Sequence, residues 1–447
     1  MNPSSPAFHP PQHNPWLTHG VHRLHWATAP LRSFMIVVIY FVLFGFSLLL
    51  TRNDEDRLVM TPGTVLLFLI VSAPVVAVAV GVGLWTWWAV RFWIDGDDLV
   101  VDSGIVRSRI RRIPLSRMQG VDVVRPLISR ALSLAEVRLE LAGGTSAEIT
   151  LRYLSDRRAQ QLRAELLALA AGLPGRTPEA PERPFYRVPF LTLFASLVFK
   201  IPVIIACCAF VALIGFGIWA GELAVVAAVV PVLLGLLRGV VAPMVMYTDF
   251  RCSISPDGLR LRYGLFETRL QTLPPGRIQA VRVVEPRLWR TYGWARVEVT
   301  VAGYGGERQA LSSTLLPVAP RAVAFAMISE VFPGVALAEI PFKEGRSRLE
   351  PEAAAGSSRD VFVTRRGAFC RTWDVVAFAR AQSVRLTSTP LQRLQGLATV
   401  HVDVPPGPVH VSAVDRDLAE ARELGEDTLR RSLNAQARSG SPERWAR

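Results

Sequence analysis

The chain has 447 residues, half of them hydrophobic and 19% charged, with a formal net charge of +13. Lys200 and Lys343 are its only lysines, so the charge is almost wholly arginine; these residues are dispersed and lack an aromatic stacking surface, which argues against nucleic acid. Cys207, Cys208, Cys252 and Cys370 show no CxxC spacing, which excludes a disulfide framework and a zinc ribbon.

Residues 1–32 hold Pro, His and Asn without an apolar core, so they predict a disordered cytoplasmic tail and no cleavable signal. His9, His13, His19, His22 and His25 have no acidic or thiol partner at ligand spacing, and no metal or cofactor is expected. Four apolar runs follow, Phe34 to Leu50, Thr64 to Val90, Ile201 to Ala220 and Leu223 to Tyr247. Each approaches the roughly 20 residues that cross a bilayer, and they come as two close pairs, predicting helical hairpins within 33–90 and 188–247. Arg23, Arg32, Arg91, Arg183 and Arg187 flank the pairs while the inter-span loops are acidic or neutral, which predicts a multi-pass protein of the cell (inner) membrane with the N-terminus and the sequence behind each pair on the cytoplasmic side. Trp85, Trp87, Trp88 and Trp93 read as an interfacial belt. Lys200 and Arg238 lie near the predicted interfaces, where long side chains reach the headgroups.

Behind each pair lies the same sequence. Arg91 to Leu141 aligns without a gap with Arg251 to Val301, 16 of 51 pairs being identical. A third copy, more worn, repeats Gly264, Phe266, Arg277, Gln279, Arg290 and Val297 as Gly367, Phe369, Arg380, Gln382, Arg393 and Val400. A repeat at fixed period dictates the architecture. Apolar residues alternate, as in Val137, Leu139 and Leu141 or Val297, Val299 and Val301, predicting half-buried antiparallel strands. Amphipathic helices close the first two copies, at Ser155 to Ala171 and Pro317 to Val331. The expected order is a domain over 91–173, a linker over 174–187, a domain over 248–333, a linker over 334–358, a degenerate domain over 359–432 and a tail over 433–447.

Arg117 and Gln119, with Arg277 and Gln279, and Arg380 and Gln382, are two apart and so are expected on one strand face. They either dock a partner or hydrogen-bond their own sheet and fix the turn after the proline; the second reading is the more economical, since a degenerate copy keeps the pair. Arg130, Arg290 and Arg393 carry the same two readings. Arg107, Arg109, Arg111 and Arg112 form a basic stripe in copy one alone, suited to anionic headgroups or simply solvated.

The runs "IPLSRMQGVDVV", "LPPGRIQAVRVV" and the fainter "VAFARAQSVRL" resemble the bacterial pleckstrin-homology-like domain of the YdbS/YdbT type of membrane protein. The resemblance rests on a Pro-x-x-Arg-φ-Gln-x-Val element, φ being apolar, and on the alternation of span pairs with domains; copy three has Ala377 in place of the proline. It implies an α+β multidomain membrane protein with four transmembrane helices and repeated antiparallel sheets, each closed by a helix. It further implies cytoplasmic domains that bind protein partners or the membrane surface, pairing with itself or a smaller related protein, and a part in envelope maintenance or stress tolerance. No nucleophile stands with a base, no catalytic motif occurs, and no small-molecule substrate is indicated. The rival reading is a component of a transporter or channel complex.

Overall fold

The computed structural model describes residues 20–50, 62–104, 109–115, 118–141, 148–170, 181–221, 224–256, 258–302, 313–347, 350 and 352–438. Copy one belongs to one unit, copies two and three to a second.

In the first unit, strand β1 (His22–Arg23) is followed by α1 (Thr28–Leu50), α2 (Pro62–Ala89), β2 (Arg91–Asp95), β3 (Asp98–Ser103), β4 (Arg109–Pro114) and β5 (Met118–Pro126). Then come α3 (Leu127–Ala131), β6 (Leu134–Leu141), β7 (Glu148–Ser155) and α4 (Asp156–Ala170). The strands run antiparallel in the orders β1-β2-β3-β4 and β5-β6-β7. Alternation puts Leu99, Val121, Val123, Val137 and Leu139 in the core, where Leu162 and Leu166 of α4 join them. Asp156 opens α4 and pairs with Arg125 at 2.7 Å, placing a carboxylate at the positive helix end.

The helix pair α1–α2 is an insertion between the first two strands of a sheet: β1 pairs with β2, Arg23 opposite Arg91. Within the segment expected to be a disordered tail, residues 20–32 instead carry β1 and the start of α1. His22 completes a ladder rung, and Ala27 and Leu31 are buried against Leu134 and Tyr153.

The second unit repeats the plan. Strand β8 (Arg183–Arg187) leads into α5 (Phe190–Val198), α6 (Ile201–Ala220), α7 (Ala224–Leu236), a π-helical turn at Leu237–Val241 and α8 (Ala242–Tyr247), before β9 (Arg251–Ser255) pairs back onto β8 with Arg187 opposite Arg251. There follow β10 (Gly258–Tyr263), β11 (Glu267–Leu273), β12 (Ile278–Pro286), α9 (Arg287–Thr291), β13 (Trp294–Val301), β14 (Thr314–Pro320) and α10 (Arg321–Val331). Copy three supplies β15 (Phe342–Glu344), β16 (Ala354–Ser357), β17 (Val361–Arg366), β18 (Cys370–Ala377), β19 (Ser383–Thr387), α11 (Pro390–Leu394), β20 (Leu397–Asp403), β21 (Val411–Asp417) and α12 (Leu418–Arg438).

Both expected linkers thus contain a first strand, β8 in 174–187 and β15 in 334–358, and the second also contains β16. In copy three, residues 345–353 replace the helices between β15 and β16. The copy-two helix starts at Arg321, later than expected, because residues 314–320 pair with β13 as β14.

The two copies of the second unit share a sheet. Its order, β14-β13-β12-β18-β17-β16-β15, joins the last three strands of copy two to the first four of copy three. One face packs on β9–β11 and α10 through Val281, Val283, Val299, Val363 and Val375. The other packs on β20, β21 and α12 through Ala280, Phe362 and Val376. A strand buried on both faces loses the polar half of its alternation.

Three described helical stretches are long and apolar enough to cross a membrane, Ile70–Ala89, Ile201–Ala220 and Ala228–Tyr247, and a shorter apolar stretch covers Thr28–Phe44. Ala79 and Ser33 mark the close approach of α1 and α2, Ser33 Oγ donating to the Ala79 carbonyl at 3.0 Å.

Candidate membrane-proximal interaction surface

Arginines stand at the necks where the helices leave the sheets. Arg91 lies over the Trp88 ring at 5.3 Å. In copy two, Arg187 and Arg251 each meet the Asp249 carboxylate at 3.0 Å. Beside that neck, α5 buries Leu193, Ser196 and Leu197 on the domain and exposes Phe190, Leu191 and Phe194. A buried Trp289 fixes the helix, its Nε1 donating to the Ser196 carbonyl at 3.1 Å.

Where α5 gives way to α6, a cavity of about 290 Å³ opens between Leu197, Phe199, Lys200, Ile201, Tyr247, Trp289 and Phe369. Lys200, Arg287, Arg296 and Glu298 add charge to its lining. Burial, then Arg296, pushes the Lys200 ammonium below its ordinary pKa, while Glu298 opposes them. Arg296 is held by Glu298 at 3.1 Å and donates to Thr314 Oγ1 at 2.8 Å. Three basic side chains and one carboxylate thus border a mostly apolar slot. Its residues come from separate elements and share no spacing, which is why no motif announces it.

Where both members are described, in copies two and three, the Arg/Gln pairs do not share a strand face. Arg277 lies in a 3-10 turn, Pro275–Arg277, and Gln279 in β12 after it. The turn is the crossover between the two sheets of a copy: Arg277 N–H donates to the Pro274 carbonyl at 3.0 Å, and Gln279 Nε2 donates to the Arg277 carbonyl at 3.2 Å. Arg380 ends the same turn in copy three, Phe378–Arg380, where Gln382 is exposed outside any strand. Arg117 lies outside the described residues, and Gln119 takes its place in β5.

Arg290 of α9 binds copy three, donating to the Ala368 carbonyl at 2.7 Å and approaching Glu352 at 3.4 Å. Arg130 occupies the same position in α3, and Arg393 is exposed on α11. Arg107 is outside the described residues. The remaining arginines of the stripe lie on β4 but on alternate sides: Arg109 and Arg111 share one face, and Arg112 takes the other, 3.3 Å from Asp95.

The second unit also holds a buried ionic cluster that the sequence signals only faintly. Asp374, in the middle of β18, has no exposed surface and meets Arg282 of β12 and Arg366 of β17. Arg282 also donates to the Pro408 and His410 carbonyls, tying copy two to the last sheet of copy three. The signal was present as a carboxylate within the apolar run Trp373 to Ala377.

No curated protein matches the chain. The family described as "Bacterial PH domain" matches it three times, over residues 37–170, 196–331 and 357–436. The first two matches take in the long apolar helices as well as the sheet domain, and the third falls on copy three, which lacks those apolar helices. With more than half its length matched, the chain belongs to the bacterial PH domain family.

Proposed function

We propose that this membrane-associated PH-domain protein is a non-catalytic scaffold of the cell membrane. Two helical hairpins cross the bilayer four times, and the N-terminus and all three sheet domains lie on the cytoplasmic side. One observation carries the reading: each hairpin is inserted between two paired strands, so both of its feet stand on one ladder with an arginine pair at the neck, Arg23 with Arg91 and Arg187 with Arg251. Feet so placed enter from the same side, and their charge favours the cytoplasmic one. The exposed apolar face of α5 suits the headgroup boundary, and the Lys200 cavity beside it suits a lipid headgroup. The sheet domains bind protein partners, a related smaller PH-like membrane protein or a second copy, in envelope maintenance.

The test is side-specific labelling. The exposed cysteines are removed, Cys207 and Cys208 as Ala and Cys370 as Ser, leaving only buried Cys252, and a reporter cysteine is placed at exposed Leu132 or Leu394. A membrane-impermeant maleimide is expected to react in inverted vesicles and not in intact spheroplasts; labelling from outside rejects the orientation.

A further inference from the structure

β4 is the outermost strand of its sheet, and among the described residues no strand lies on its far side. Its counterpart in copy three has a neighbour there. β12 runs antiparallel along β18, Ala280 opposite Val376 and Arg282 opposite Asp374. Register fixes the equivalence: Leu99 faces Ile113 as Leu259 faces Leu273 and Phe362 faces Val376. Ile110 and Arg111 therefore stand where β18 has Trp373 and Asp374. Beside β12, those two are 7% and 0% exposed; Ile110 is 62% exposed and Arg111 is open to solvent. An edge with unpaired N–H and C=O groups and an uncovered apolar side chain is a template for strand addition.

Charge selects the occupant. Within the chain, the carboxylate of Asp374 receives Arg282 from the added strand. On β4 the sign is inverted, with Arg111 at that position and Arg109 on the same face. A strand seated as β12 is seated must bring a carboxylate to Arg111. Of the chain's own equivalents, β5 and β12 already have a strand on each side, and the one that ends its sheet, β19, does not: Ser383 faces Asp403 as Ala280 faces Thr300, so Arg385 takes the place of Arg282. Like charges directly opposite disfavour that pairing.

We propose that the open edge of β4 docks the outer strand of a PH-like sheet in another protein, a strand that sets Asp or Glu opposite Arg111 and an apolar residue opposite Ile110. The proposal rests on the reading that these domains bind proteins, and it names the place and the chemistry.

Photoreactive p-benzoylphenylalanine at Ile110 of the full chain, irradiated in native membranes, tests it. The expected adduct joins a second polypeptide through a segment with an acidic residue in register with Arg111. Its yield falls about fivefold in R111E and returns when the partner's carboxylate is changed to Arg. An adduct to residues 383–387 of this chain, an adduct to lipid alone, an adduct indifferent to R111E, or no adduct overturns the proposal. In a second arm, purified R111E in micelles presents an acidic edge to Arg385 of another copy. Its self-association is expected to strengthen about fivefold over wild type and to be lost in R111E/R385E; an unchanged mass overturns the charge rule. The same probe at exposed Phe369 separates the two readings: a protein adduct there but not at Ile110 removes this site and leaves the scaffold, and none at either removes both.

Discussion

Arg282 and Asp374 meet across the β12–β18 pair, the guanidinium donating to both carboxylate oxygens at 2.5 and 3.2 Å where Asp374 has no exposed surface. Burial pushes the Asp374 carboxyl up, and the guanidiniums of Arg282 and Arg366 oppose that shift. A charge pair taken out of water contributes little net stability, but removing one partner strands the other. D374A is expected to cost about 3–5 kcal/mol, whereas the double change D374L/R282M returns most of it. Denaturant melts of the purified protein followed by tryptophan fluorescence check this, and equal losses in both variants refute it.

Glu352 ties copies two and three through Arg290 and Arg371. Arg371 donates to its two oxygens at 2.7 and 2.8 Å, and Arg290 of α9 stands at 3.4 Å. The Arg371 hydrogen bond is the largest influence holding the carboxyl below its ordinary value. A carboxyl lowered on folding adds stability above its unfolded pKa and loses it as pH falls through the folded one. E352Q is expected to melt lower than wild type by about 1 kcal/mol at neutral pH, the gap closing in acid. A gap that stays constant to acid pH contradicts the pairing.

Gly264 follows β10 with φ +112°, and a Cβ there would come 2.0 Å from the Glu267 carbonyl oxygen. Gly367 holds the same corner in copy three, 2.1 Å from that of Cys370. G264A is expected to destabilise by about 1–3 kcal/mol, against a few tenths for a substitution on the exposed surface. Thermal melts decide, and a neutral G264A rejects the argument.

Ser133 sits left-handed at φ 55° where the other copies have Gly293 and Gly396, at φ 65° and 68°. The L side chain costs roughly 1–2 kcal/mol in that region, so S133G is expected to stabilise the first unit by about 1 kcal/mol. Proteolysis rates of the two forms provide the readout; faster cleavage of S133G sinks it.

Much of this fold was legible because copies confirm one another. The retained Gly264 and Gly367 mark a corner that only glycine fits, and Val297, Val299 and Val301 alternate because β13 packs one face inward. The first strands were not legible. β1 has two residues and β15 three, and the helices carry β1 and β8 away in sequence from the strands they pair with. Arg277 and Gln279 looked like strand neighbours because spacing cannot distinguish a 3-10 turn entering a strand from the strand itself. The Lys200 cavity and the Asp374 cluster needed tertiary structure, since their members converge from distant elements.

Copy three closes its first ladder with residues 345–353 where the other copies place apolar helices. The same β grammar accepts either phrase: a few residues, or a run of apolar helices. Anchors can therefore be gained, shed or exchanged at one seam without disturbing the register on either side, and a lineage built on this module can trade residence at the membrane for a free-standing sheet by rewriting a single connection.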